Sequence, residues 1–497
     1  MPKRKMQDLI VFLPGITGSV LQSSDGKDIW ALSGGALYSW LSSHGDSLHK
    51  LALLPHTPGS KPPDDGVRAV KLMPNFHGVF GLWKIDGYHA CTAALAQTFQ
   101  FENREGDPSN FITFPYDWRR SNRESAAELK LLVDEKLQQW RTFSHFKNAK
   151  VILLAHSMGG LVSRYYLEVF EGWRDCRALM TFGTPYWGAV DAIDYVINGY
   201  KQKFVDLTNV LRSFPSVYEL MACYDVVRVD ANHCGKNTGG AQAGHEGQTS
   251  GWKKVAHAGP LPHLDTARAV DALAFHDEIA AAVAKNRESA DYCENRYKIV
   301  PMIGVRQATM QSIVMESGAP VGRELRPPSV DVALEGGDGR VPRVSAAPIE
   351  IFGEYRESFF VEQHGSLQNN PQLIDDLLER LSQMQANKPV RGTFEERSIV
   401  KPAAIALRVE DLYLSDEPIR VEVELKDRGE RDELLVTIEG VTNQAAKQNF
   451  EIKSSEGGAT LEIGTLEPGR YRVTVQAKDG YLVATPVHDV FEVAFND

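Results

Sequence analysis

Lys150–Gly160, KVILLAHSMGG, sets one serine at the end of an apolar run with two glycines close behind it. Val151, Ile152, Leu153 and Leu154 are continuously apolar over too few residues for a helix, which predicts a parallel strand buried on both faces. The strand must end near His156. Leu161, Val162, Tyr165, Tyr166 and Phe170 follow at helical spacing, so strand passes into helix with no room for a loop. Ser157 is left in a sharp, strained turn, where its hydroxyl can stand exposed as a nucleophile. Small residues at Ala155 and Gly159 let backbone segments cross closely around it. The usual pattern for such a turn is G-x-S-x-G, and alanine stands here for its first glycine. A helix-capping serine also fits these residues, so the rest of the chain must supply a base, an acid and an oxyanion hole.

Working outward, short apolar runs recur at Leu9–Leu13, Phe111–Phe114, Ala178–Phe182 and Ile299–Val305, with helical patterns between them. Leu129, Leu132, Val133, Leu137 and Trp140 mark one amphipathic helix, and Pro371 opens another carried by Leu373, Ile374, Leu377, Leu378 and Leu381. The alternation predicts an α/β domain: a mostly parallel sheet with helices on both faces, spanning residues 1–388. Two stretches exceed a minimal sheet. Residues 28–80 are rich in Gly, Pro and large apolar residues (Trp30, Leu37, Tyr38, Trp40, Leu41) and read as a lid-like insertion or as ordinary packing. Residues 191–289, with helical pieces around Phe204–Leu220 and Arg268–Lys285 flanking a glycine-rich loop, read as a cap over the strands' carboxyl ends. Residues 389–402 form a linker. Beyond it, VEVEL and YRVTV alternate apolar and polar residues between turn signals, which predicts a small all-β, immunoglobulin-like sandwich over residues 403–497.

Composition narrows the function. Of 497 residues 43% are apolar, enough for a large core, and 54 basic against 65 acidic residues give a net charge of −11. That balance argues against a nucleic-acid partner. After the basic MPKRK comes only Leu9–Leu13 before Pro14 and Gly15, so no signal-peptide core or membrane span is read and a cytoplasmic protein, peripheral to membranes at most, is expected. Cys91, Cys176, Cys223, Cys234 and Cys293 are odd in number and scattered, which fits reduced thiols. His233, Cys234 and His245 lack zinc-site spacing, so neither a metal nor a cofactor is expected.

A serine nucleophile needs a base, and a carboxylate that holds the base in its working tautomer; in α/β-hydrolases these follow in the order Ser, Asp or Glu, His. Leu334–Pro342, LEGGDGRVP, places Asp338 in a glycine-flanked turn after an apparent strand at Val330–Leu334, with Asp331 and Glu335 as nearby competitors. Downstream of Asp338 only His364 and His488 remain. His488 falls in the sandwich, which leaves His364 as the base, between the run Ser358–Val361 and the helix at Pro371. For the oxyanion hole, Met158 N–H follows the nucleophile at a helix start. The second donor is Ile16 N–H, or alternatively Gly15, in the glycine-rich turn after the first strand.

Several ordered motifs together carry a family resemblance: PGITGSVL from Pro14, FPYDWRRS at Phe114–Ser121, AHSMGG, TFGTPYWGA at Thr181–Ala189, SFPSVYEL at Ser213–Leu220, GGDGRVP, and His364-Gly365 after SFFVEQ. From about residue 8 to 385 the chain resembles the lecithin:cholesterol acyltransferase family. The resemblance implies an α/β-hydrolase with a capped, lipid-directed site. Ser157, Asp338 and His364 match the family triad, and Ile16 and Met158 its oxyanion positions. The chain departs from the family in three ways. No cysteine precedes Cys91, so the lid disulfide of the animal enzymes has no counterpart. Arg340 stands where GDGTVP has threonine, which alters the acceptor or headgroup environment. The missing secretion signal argues against extracellular lipoprotein substrates. Asp117 and Arg119 read as an internal ion pair. The expected function is a serine acyl hydrolase acting on phospholipid or other glycerolipid esters. Alternatives are a lipid O-acyltransferase and, in another class, a non-catalytic scaffold working through its sandwich, whose partner the sequence does not identify.

Overall fold

The computed structural model describes residues 3–31, 46–73, 75–77, 85–102, 107–203, 205–229, 251–348, 358–386, 404–426, 433–441, 447–453, 458–478 and 484–495. The strands that bear on the site are β1 (Leu9–Leu13), β2 (Phe111–Thr113), β3 (Val151–His156), β4 (Cys176–Phe182), β5 (Lys298–Val305) and β6 (Ser358–Val361). They form one sheet in the order β6-β5-β4-β3-β1-β2, every pair parallel. β1 and β3 are buried along their whole length, as continuous apolar runs require in a sheet covered on both faces. This is an α/β architecture with a central parallel sheet.

Helices cover the sheet. α1 (His89–Thr98), α2 (Asn122–Ser144), α3 (Gly159–Glu168), α4 (Val190–Ile197), α5 (Thr266–Asn286) and α6 (Pro371–Gln385) are the principal ones. α2 buries Leu129, Val133, Leu137 and Trp140 at helical spacing, and Ser121 caps its start by accepting from Arg123 N–H. α6 starts on Pro371 behind an Asn370 cap and buries Leu373, Leu377 and Leu381. The strand order reverses between β1 and β3, which is where ligands bind in open parallel sheets, outside the carboxyl ends of the strands.

The described parts of residues 28–80 pack on the main core, with Leu48, Leu51, Leu53 and Val67 buried. Trp30 is fully buried, stacks edge-on against Trp118 at 5.1 Å and donates its indole N–H to Thr17 O. Leu37, Tyr38, Trp40 and Leu41 lie outside the described residues, as do the glycine-rich loop, Cys234, His233, His245 and the linker. One expectation fails. Val330–Leu334 is no strand: Asp331 caps a short 3-10 turn at Val332–Leu334 by accepting from Ala333 N–H, and Val332 is 67% exposed. Asp331 closes the backbone on itself there. The Asp117–Arg119 pair is internal as read, with Arg119 fully buried and also bound to Asp65.

After the linker, β7 (Ala404–Val409), β9 (Ile419–Lys426) and β12 (Ala459–Ile463) form one sheet. β8 (Leu412–Leu414), β14 (Val487–Ala494), β13 (Gly469–Ala477), β10 (Glu433–Gly440) and β11 (Gln448–Lys453) form a second, in that order. Leu407, Val421 and Val423 of the first sheet share a core with Val436, Val473 and Phe491 of the second. Leu412 and Ala494 instead join the core of the α/β region, so the two regions meet through apolar contact. Among the described residues no helix is long and apolar enough to cross a membrane.

Candidate active site

β3 delivers Ser157 directly to the start of α3, and the serine backbone adopts φ of 51°, a left-handed conformation that side-chain-bearing residues rarely take. The turn is held by its neighbours. Ser157 N–H donates to Phe182 O at 2.9 Å, and Thr184 Oγ donates to Ser157 O at 2.9 Å. The loop after β1 crosses so close that a Cβ on Gly15 would lie 2.9 Å from Ser157 Cβ, which is why only glycine fits there.

Asp338 hangs on the extension of β5 rather than on a strand of its own. Gln307 N–H donates to Gly337 O, and His364 N–H donates to Asp338 O at 2.8 Å, so the Asp338 loop is laid directly against the His364 loop. His364 Nδ1 is 2.7 Å from Asp338 Oδ2, and its Nε2 is 2.9 Å from Ser157 Oγ. The second Asp338 oxygen accepts from Arg340 N–H at 3.0 Å and Val341 N–H at 2.7 Å. Residues more than two hundred positions apart thus meet in one hydrogen-bonded line. Asp338 is 1% exposed, while the competitors Asp331 and Glu335 are exposed and outside this line. His488 is also elsewhere, bound to Glu362.

Met158 and Ile16 flank the serine on two sides, one at the head of α3 and one in the β1 loop, and both are buried. Gly15 N–H, the alternative donor, is engaged with the Tyr88 hydroxyl at 2.8 Å. Among the described hydrogen bonds Ile16 N–H and Met158 N–H have no protein acceptor.

Several contributing residues were not singled out from the sequence. Tyr88 accepts from Gly15, which directs its own proton to His156 Nδ1 at 3.1 Å; His156 Nε2–H then donates to His364 O at 3.2 Å. One chain of hydrogen bonds so connects the loop after β1 to the His364 loop. Burial, with His364 nearby, lowers the His156 pKa to about 3, keeping it neutral. Gly183 has φ of 59°, and a Cβ there would lie 2.9 Å from Asp338 Oδ2 and 3.0 Å from His364 Nδ1. The glycine in TFGTP was the available signal for it. Among the described residues no cluster of His, Cys, Asp and Glu has the arrangement of a metal site.

The model of the lecithin:cholesterol acyltransferase family matches residues 85–323, a span that includes Ser157 but neither the β1 loop, Asp338 nor His364. The human lysosomal phospholipase A and acyltransferase is 30% identical over 91 residues, 17% of this chain and 20% of that protein. The Bos taurus protein of the same name is 34% identical over 82 residues, 15% of this chain and 18% of the other. The chain therefore spans about a fifth of the length of these curated relatives. Among solved structures, the Tle4–Tli4 complex contains a chain 14% identical, with TM-score 0.46, covering 77% of this chain and 97% of that one. The Bacillus licheniformis lipase BlEst2 in its propeptide form is 11% identical, with TM-score 0.34, covering 99% of this chain and 94% of that one. Over residues 85–323, then, the chain is similar in sequence to the lecithin:cholesterol acyltransferase family, the family its ordered motifs resemble.

Proposed function

We propose that the protein is a serine acyl hydrolase of lipid esters, with Ser157 as nucleophile, His364 as general base and Asp338 as the carboxylate that orients it. One observation carries the reading: a serine at positive φ whose Oγ is bonded to His364 Nε2, with His364 Nδ1 bonded in turn to a buried aspartate. In this mechanism His364 takes the Ser157 proton as Oγ attacks the ester carbonyl. The Ile16 and Met158 amides stabilise the tetrahedral oxyanion. His364 then protonates the leaving alcohol, and the acyl group remains on Ser157. Water activated by His364 releases a fatty acid; an alcohol in the same place takes the acyl group instead, the outcome being decided by which acceptor is bound.

The lipid ester as substrate class is supported by the family similarity over residues 85–323. We read residues 1–388 as the catalytic region, 389–402 as a linker and 403–497 as an immunoglobulin-like sandwich, supported by two sheets sharing one core. The test is release of labelled fatty acid from phosphatidylcholine vesicles by wild type and by Ser157→Ala. Wild-type release that falls at least about 10⁴-fold in the variant is expected. Release of equal size in both, or cleavage of short soluble esters only, would sink the reading.

A further inference from the structure

The loop after β1 is held by side chains from three other parts of the chain. Gly18 N–H donates to Gly15 O at 3.0 Å, which makes Gly15–Gly18 a four-residue turn with Ile16 and Thr17 at its corner. Tyr116 donates its hydroxyl to Pro14 O and Trp30 its indole N–H to Thr17 O, each at 2.9 Å. Tyr88 accepts from Gly15 N–H at 2.8 Å. Its ring is fixed edge-on against Phe12 of β1 at 5.2 Å. A Cβ on Gly18 would lie 2.7 Å from the Tyr88 hydroxyl, so the hydroxyl reaches Gly15 through space that only glycine leaves.

Thr17 is the strained point of this turn. Its φ is 64°, at the third position, where a positive φ calls for glycine, and a β-branched residue rarely takes it. Its side chain does not offset the strain: the hydroxyl is buried and has no hydrogen-bond partner among the described residues. The conformation is therefore imposed from outside, by Trp30 on Thr17 itself and by Tyr88 on Gly15. The Tyr88 bond has a second anchor. Asp86 N–H donates to Gly365 O at 2.8 Å, and Gln368 and Asn369 donate to Gly87 O and Asp86 O at 2.8 and 2.6 Å. The segment leading into Tyr88 is thus tied to the residues directly after His364.

We propose that Tyr88 is a positioning residue that acts through the Gly15 amide: its hydroxyl holds the Gly15–Gly18 turn in the strained form that presents Ile16 N–H, and not Gly15 N–H, to the ester oxygen. The proposal rests on the serine acyl hydrolase reading. By occupying Gly15 N–H the hydroxyl removes the competing donor, and by its tie to the His364 loop it sets the distance between the remaining donor and the base. Without the hydroxyl, Gly15 N–H is buried and unpaired. Rotation of the turn then relieves both that loss and the strain at Thr17, and carries Ile16 N–H off line. In Thr17→Gly the left-handed φ carries no strain, so the same loss at Tyr88 gives the turn less cause to move.

The experiment follows hydrolysis of p-nitrophenyl butyrate by the full chain, wild type and Tyr88→Phe, each with and without Thr17→Gly, with urea midpoints measured alongside. Tyr88→Phe should lower kcat about 10- to 100-fold with KM little changed, since a donor moved off line is lost in the transition state and not in the bound ester. In the Thr17→Gly background the same substitution should lower kcat by less than about threefold. Should Tyr88→Phe fail to fold, Trp30→Phe removes the indole N–H from Thr17 O while keeping an aromatic ring against Trp118, and should show the same loss and the same suppression. A lower urea midpoint with kcat unchanged, or an equal fall in kcat in both backgrounds, overturns the role of Tyr88 and leaves the hydrolase reading in place. No p-nitrophenol released by wild type above Ser157→Ala overturns the two together.

Discussion

The Ser157 side and the Asp338–His364 side of the candidate site are built in different ways. Ser157 is held locally: β3 ends, α3 begins, and the β1 loop lies against the turn because β1 and β3 are hydrogen-bonded neighbours. The loops of Asp338 and His364 are held from a distance, by polar bonds from Gln307, Gln363, Glu362 and Arg340 to a sandwich that starts after the linker. Apolar strand packing fixes the first, whereas buried hydrogen bonds fix the second. Losing one member of a buried polar set leaves its partner unsatisfied, at a cost of about 1–3 kcal/mol, so the distant side is the more easily perturbed.

Four variants or conditions separate the two sides. Asp338→Asn removes the carboxylate that sets the His364 tautomer and should lower kcat about 10⁴-fold with KM little changed, measured by steady-state ester hydrolysis. Gly183→Ala forces a side chain into a left-handed backbone position and toward the Asp338–His364 contact. It should cost about 1–3 kcal/mol in urea unfolding and about 10²-fold in kcat. His488→Ala leaves Glu362 buried with fewer donors; kcat should fall about tenfold at constant KM, with recovery in His488→Gln. If His488→Ala changed only stability, the sandwich would be a support and not a positioning element for the base loop.

The smallest effect is on stability against pH. Burial lowers the pKa of His156 to about 3 and of His276 to about 4, from an ordinary 6.5. Between those values and 6.5 the unfolded chain binds more protons than the folded one. Stability should therefore fall as pH drops through that window, by up to about 1.4 kcal/mol per pH unit for each histidine. His156→Gln and His276→Gln should each flatten the slope in urea titrations run between pH 4 and 7.

The contrast between the two sides also explains what could be read from the sequence. The six strands, α2, α6 and the serine turn are written in apolar periodicity and adjacent glycines, signals that are local and strong. Asp338 and His364 were reachable through chain order and a glycine-flanked turn, although the strand expected before Asp338 proved to be an Asp331-capped turn. Gly183 had the glycine of TFGTP as its signal, whereas the contacts of Tyr88, His156 and His488 were not reachable, because each meets a residue far away in sequence. A single tyrosine or glutamine carries no local mark of the carbonyl it will meet. Arg340 was noticed as a departure from a motif; its bridge from Asp191 to Asp411 could only be seen once the sandwich was in place.

The most direct measurement is covalent labelling with a fluorophosphonate probe followed by peptide mass mapping. Wild type should carry one adduct, on Ser157, absent from Ser157→Ala and formed far more slowly in His364→Ala. An adduct on another serine, or equal labelling of wild type and Ser157→Ala, would contradict the assignment of Ser157 as the nucleophile.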